Sequence, residues 1–209
     1  MRPVEQAAQA LTDAVRELGL QVLPWSEALS QWRERVLALR AWLPELGLPD
    51  LSDAALLDTL EDWLRPAFAC KTRLDALGSE EFASALKARC DWNARQQIDR
   101  LAPTRILVPS GMERGIEYRH GEAPVLAVKL QELFGLADTP RIADGRVPLT
   151  LHLLSPAGRP LQVTQDLKGF WERTYPEVKK EMKGRYPKHP WPDDPWSAQA
   201  THRAKRKGT

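Results

Sequence analysis

The spacing of the apolar residues changes at Pro103, and one layer of secondary structure cannot serve both halves of the chain. Before that point the spacing is helical. Val4, Ala7, Leu11, Val15 and Leu18 fall on one stripe with Gly19 as its stop, and Trp25, Ala28, Leu29, Trp32, Val36, Leu39 and Leu43 form a second stripe ended by Pro44. Ser52 reads as an N-cap for a helix burying Leu56, Leu57, Leu60, Trp63 and Leu64, which Pro66 breaks. Ser79 can cap a helix carrying Phe82, Ala85 and Leu86, and a last short helix carries Trp92, Ile98 and Leu101. Short helices joined by short loops predict a helical bundle over residues 1–103.

From Thr104 to Gln165 the period is two. Thr104–Val108 is rich in β-formers, and Ile116 and Tyr118 alternate with charged residues. Val147, Leu149, Leu151 and Leu153 point one way while Pro148, Thr150 and His152 point the other. Ser155-Pro156-Ala157-Gly158 reads as a hairpin turn, with Leu161 and Val163 on the return strand. Pro124, Leu126, Leu130, Leu133, Phe134 and Gly135 have the spacing and the ends of one helix inserted among the strands. Residues 104–165 therefore predict a small antiparallel sheet or barrel with an inserted helix.

Residues 166–209 return to helix and then lose it. Asp166 caps a short helix with Leu167, Phe170 and Trp171, and Tyr175-Pro176 starts another. Pro187, Pro190, Pro192 and Pro195 forbid helix beyond Gly184 and favour an extended arm laid over a neighbouring surface. Residues 201–209 are expected to be disordered. The fold class is α+β: a helical bundle, a β domain, and a helical and extended basic arm.

With 209 residues and 43% apolar content the chain can bury real cores without disulfide or metal staples. Cys70 and Cys90 are too few for a disulfide framework and read as reduced thiols in a cytoplasmic setting. No run approaches the roughly 20 apolar residues of a membrane span, and the first residues lack the apolar core of a signal peptide. The net charge of +2 is uneven: residues 165–209 carry +5 and residues 1–164 carry −3. A basic end suits an anionic partner such as nucleic acid, or serves as a solubilising tail.

Catalytic signatures are missing. No Gly-x-x-x-x-Gly-Lys-Ser/Thr loop is present to cradle phosphates, and Gly111 and Gly115 have the spacing of a turn. No Cys-x-x-Cys or His-x-x-x-His pair offers a zinc site, and no Gly-x-Ser-x-Gly elbow offers a nucleophile. His189 with Asp193 and Asp194 could hold a metal, but the prolines between them favour a solvated arm.

Binding candidates remain. The arm mixes cations that neutralise phosphates (Lys179, Lys180, Lys183, Arg185 and Lys188) with Tyr186 and Trp191, whose rings can stack on unpaired bases. In the β domain, Arg141, Arg146 and Arg159 lie in or beside loops of the sheet, where OB-type barrels hold oligonucleotides. The bland readings stand beside these. Trp191 and Trp196 can anchor the arm, and the lysines can be the wet face of a helix.

Val108-Pro109-Ser110-Gly111 and the run Gly121–Gly135 (Gly-Glu-Ala-Pro-Val-Leu-Ala-Val-Lys-Leu-Gln-Glu-Leu-Phe-Gly) carry a family resemblance. So do Gly145–Pro160 (Gly-Arg-Val-Pro-Leu-Thr-Leu-His-Leu-Leu-Ser-Pro-Ala-Gly-Arg-Pro) and Gly184–Pro192 (Gly-Arg-Tyr-Pro-Lys-His-Pro-Trp-Pro). The chain resembles the C-terminal region of HrpB-type DEAH-box helicases of bacteria, densely from Val108 to Pro195 and more loosely back to Leu23. The resemblance implies an accessory module of an ATP-dependent RNA helicase: helical bundle, OB-like barrel and C-terminal extension, following a pair of RecA-like motor domains. ATP and Mg would belong to those motor domains, since the Walker A loop and DEAH box are missing here, and no cofactor or catalytic residue is carried over to this chain. The implied partners are single-stranded RNA or DNA and the motor itself, with no membrane. A protein–protein scaffold with little nucleic-acid contact is the alternative.

Overall fold

Trp32, Val36 and Leu39 recur at helical spacing and lie buried on one side of the helix that Ser26 caps, its hydroxyl accepting from the Leu29 N–H. The computed structural model describes residues 3–204. Within it, residues up to Arg100 and residues from Leu101 onward form two units.

The first unit is helical. Its elements are α1 (Pro3–Leu18), α2 (Glu27–Trp42), α3 (Asp53–Asp58), α4 (Leu60–Trp63), α5 (Ser79–Lys87) and α6 (Trp92–Leu101). Ser52 caps α3 as expected, accepting from the Ala55 N–H. The helix expected through Leu64 breaks at Thr59 into α3 and α4 and tightens to a 3-10 turn at Arg65–Phe68, where Pro66 cannot donate. Gly78, not Ser79, is the N-cap of α5, because the Glu81 carboxylate reaches back to the Gly78 N–H at 3.2 Å. Phe82 is the centre of an aromatic cluster, meeting Trp25 edge-on at 4.9 Å and Trp63 at 6.1 Å. Trp25 therefore belongs to the core from outside α2, while Arg33 lies over its ring at 5.3 Å. The buried Arg35 guanidinium ties α2 to α6 through Asp99 at 2.7 Å.

The second unit is built on a five-stranded sheet with β1 (Arg105–Leu107), β2 (Glu113–Glu117), β3 (Val125–Lys129), β6 (Thr150–Leu154) and β7 (Pro160–Thr164) in spatial order. A separate ribbon pairs β4 (Arg141–Ile142) with β5 (Val147–Pro148). Two sequence expectations are corrected here. The inserted helix is strand β3 followed by a 3-10 turn, Leu130–Leu133. Its apolar run misleads because β3 lies inside the sheet between β2 and β6, with Val125, Leu126 and Val128 all buried, so it shows no clean alternation. The sheet is also mixed, not an antiparallel barrel. β3 and β6 run parallel from Val125↔Thr150 to Lys129↔Leu154, joined by a long crossover that contains the ribbon, and β1 and β7 lie at opposite edges. The alternation of β6 appears as read: Leu151 and Leu153 are buried while Thr150, His152 and Leu154 are half-buried. Its partner β7 is an edge strand, and Val163 is 58% exposed instead of facing a core.

After the sheet the chain turns helical without a break. Asp166 caps α7 (Leu167–Gly169) by accepting from the Gly169 N–H, and a π-helical turn, Phe170–Thr174, runs into α8 (Tyr175–Arg185). The sequence reads two helices here because of Pro176. The π turn joins them: the Tyr175 N–H reaches back five residues to the Phe170 carbonyl, which re-registers the ladder before the proline. Phe134, Trp171 and Tyr175 interlock on this helix and the turn below it, with centroids 5.4–6.2 Å apart.

Candidate nucleic-acid interface

The β4–β5 ribbon is turned by three consecutive left-handed residues, Ala143, Asp144 and Gly145 (φ 53°, 54° and 80°), and the Arg146 N–H closes the turn on the Ala143 carbonyl. The Ala143 N–H donates to the Leu101 carbonyl at 2.9 Å, a bond within the second unit. This ribbon brings Arg141 and Arg146 together at its exposed end, with Arg141 Nη1 donating to the Gly145 carbonyl at 3.2 Å. Arg159 sits elsewhere, in the β6–β7 hairpin. There the buried Ser155 holds the turn through the Arg159 N–H and carbonyl and leaves the Arg159 side chain exposed.

The arm residues divide by role. Lys179 is half-buried and ion-paired to Asp193, holding that carboxyl below its usual range, so it ties the arm to α8. Arg185 pairs with Glu181 at 3.2 Å on the exposed face of α8. Tyr186 and Trp191 are half-buried, and the Trp191 indole N–H donates to the Tyr186 carbonyl at 3.0 Å, closing the turn after the helix. Lys180, Lys183 and Lys188 are exposed, and no hydrogen bond or ion pair holds them among the described residues. Of the predicted contacts, these three lysines with Arg159 are the cations left to solvent.

The arm lies where the prolines predicted, against the segment after β3. The Gly135 N–H donates to the Pro195 carbonyl at 2.7 Å, the Thr201 N–H to the Gln131 carbonyl at 3.1 Å, and the Tyr175 hydroxyl to the Pro192 carbonyl at 2.8 Å. The disorder expected over residues 201–209 is not found at Thr201–Ala204, and residues 205–209 lie outside the described residues.

His189 is packed within this arm. Burial, with Lys129 nearby, lowers its pKa below the ordinary histidine value, and its Nδ1 has no hydrogen-bond partner among the described residues. A base with a depressed folded pKa binds fewer protons in the folded than in the unfolded chain, so stability falls as the pH drops through about 6.5 toward the folded value. Urea unfolding at pH 7 and pH 5 should therefore show a smaller acid loss for His189→Gln than for the parent chain. Equal losses would mean His189 is not part of the acid response.

The helix that the sequence gives to Trp92, Ile98 and Leu101 forms as α6, but Trp92 is 71% exposed, because α6 turns Ile98 and Leu101 inward and presents its first residue to solvent. Spacing within one helix does not say which end projects beyond the core. No helix among the described residues is long and apolar enough to cross a membrane.

Residues 63–195 match the family described as ATP-dependent helicase C-terminal, HrpB_C. The chain belongs to the HrpB helicase C-terminal family. The ATP-dependent RNA helicase HrpB of Escherichia coli K12 is 46% identical over 202 residues, 97% of this chain and 25% of that protein. The crystal structure of the E. coli DExH-box NTPase HrpB superposes with a TM-score of 0.90 at 46% identity, over 98% of this chain and 25% of that one. A crystal structure of the E. coli DEAH/RHA helicase HrpB superposes with a TM-score of 0.74 at 45% identity, over 88% of this chain and 23% of that one. The chain thus spans about a quarter of the length of the HrpB proteins it matches and corresponds to their C-terminal part.

Proposed function

We propose that this HrpB-type segment is an accessory module that guides single-stranded RNA or DNA and docks on RecA-like motor domains, in the cytoplasm. ATP and Mg belong to the motor, and this segment alone hydrolyses no ATP. The observation that carries the reading is the set of solvent-facing cations, Lys180, Lys183, Lys188 and Arg159, on a chain 46% identical to a protein named an RNA helicase. Lys180 and Lys183 are three residues apart on α8 and share a face, so one phosphate strand can meet both. Arg141 and Arg146 supply a second basic point on the ribbon turn.

The test is fluorescence-anisotropy titration of a labelled single-stranded RNA of about 20 nucleotides across a salt series. Each phosphate neutralised on a single strand contributes about 0.7 to the slope of log affinity against log salt. The variant Lys180→Gln/Lys183→Gln/Lys188→Gln should therefore flatten the slope by about 2 and weaken binding at low salt. An unchanged slope and affinity in the triple variant would remove α8 and the arm from the interface.

A protein–protein scaffold is the second reading. It is favoured by the internal pairing of Lys179 and Arg185 and by the exposed apolar side chains Trp92, Leu107 and Val163. It predicts partner binding that is insensitive to salt and no retention of the oligonucleotide.

A further inference from the structure

The indole N–H groups of Trp25, Trp63, Trp171 and Trp191 donate to main-chain carbonyls. Trp196 differs. Its indole N–H has no hydrogen-bond partner among the described residues, and its side chain is 45% exposed. Yet its backbone is fixed on both sides. The Pro195 carbonyl accepts from Gly135, and the Ser197 N–H and hydroxyl both donate to the Asp194 carboxylate. The backbone that carries the ring is therefore held, while the ring itself is not used by the fold.

It forms a wall of a cavity of about 260 Å³. Trp171, Ala137, Asp138, Lys168 and Glu172 complete the lining. None of Asp138, Lys168 and Glu172 has a hydrogen bond or ion pair among the described residues. Nearby Asp166 and Arg173 pair with each other at 2.9 Å and cancel. The lining thus carries two carboxylates against one ammonium, together with the exposed Trp196 ring, an electron-rich π system.

We propose that this cavity is a receptor for one arginine side chain of a protein partner. The charge balance favours a cation. The exposed Trp196 indole favours one that is planar and weakly hydrated, which is the guanidinium more than the ammonium. Two free carboxylates on the rim can each accept from a guanidinium fork. The volume lies below the roughly 300–1,000 Å³ of small-molecule sites, which suits a single side chain. A nucleotide fits poorly, because its phosphate would meet a net negative rim. This site does not depend on the nucleic-acid reading, and a failure of either leaves the other standing.

The experiment is a titration of the whole chain with the capped peptide acetyl-Gly-Arg-Gly-amide, followed through the indole ¹⁵N–¹H signals of its eight tryptophans. The Trp196 signal is assigned by its loss in Trp196→Phe. It should shift saturably, with a dissociation constant on the order of millimolar, while the signals of Trp25, Trp63 and Trp191 stay in place. Those unmoved signals also show that each variant is folded. The citrulline peptide, the same shape without the charge, should not shift it. Asp138→Asn/Glu172→Gln should weaken the arginine peptide about tenfold. A Trp196 signal that ignores the arginine peptide, responds equally to citrulline, survives the double substitution with unchanged affinity, or shifts instead with cytidine or adenosine monophosphate overturns the proposal.

Discussion

Arg114→Ala is expected to destabilise the sheet unit by about 3 kcal/mol, the low end of the range for breaking a buried ion pair, because the arginine keeps about a third of its surface in water. The reason is Glu132. Its carboxylate is 1% exposed in the 3-10 turn after β3. Arg114 on β2 grips it with Nη2 at 2.6 Å and Nε at 3.2 Å from both oxygens. The Ser110 hydroxyl adds one donor at 3.1 Å, and the Ser110 N–H donates to the Glu132 carbonyl at 3.2 Å. Without the guanidinium, a charge stays buried on one hydroxyl. Urea unfolding of Arg114→Ala at pH 7 reads the loss, and Arg114→Ala/Glu132→Gln should recover part of it. A loss under about 1 kcal/mol, no larger than an exposed pair gives, would show that the pair is not coupled to burial.

Gly135→Ala is expected to lift the arm. Gly135 has φ +87°, where a side chain costs about 1–2 kcal/mol. A Cβ there would stand 2.9 Å from the Ala198 main-chain oxygen, which has no flexible end to move aside. The Gly135 N–H bond to Pro195 then lengthens, and with it goes the hold on Trp196. We expect a total loss of about 2–3 kcal/mol, and faster tryptic cleavage after Lys188 and Arg203. Ala198→Gly should not rescue it, since the clash is with backbone. Unchanged cleavage and stability in Gly135→Ala would mean that the arm is held by its side chains instead.

Ser52 and Gly19 in the first unit and Asp166 in the second are legible as helix ends because capping is local chemistry, acting within about one turn of the residue itself. Strand β6 is equally legible, since one of its faces is buried and the other half-wet. β3 is not. Val125-Leu126-Ala127-Val128 with Pro124 before it and Gly135 after it satisfies helix spacing, and the competing fact, that strands lie on both sides of it, is not local. The candidate interface shows the same division. The sequence names the cations of the arm, but it cannot say that Lys179 is spent on Asp193 or that Tyr186 and Trp191 close a turn on each other. Nor can it say that Lys180, Lys183 and Lys188 stay exposed without an ion pair among the described residues.

The sequence by itself determined the class of the protein. The change of apolar period at Pro103 sets helices before sheet, the four prolines after Gly184 rule out helix and require an extended arm, and the strings from Val108 to Pro192 carry the family. Those are properties of neighbours within a few residues, or of direct likeness. Only the tertiary structure decided the parallel pairing of β3 with β6, the burial of Glu132 against Arg114, the exposure of Trp92, and the cavity that Trp171 and Trp196 help to line. Each joins residues at least 18 positions apart or depends on which face meets the core, and burial is a property of the assembled layers that no single segment encodes.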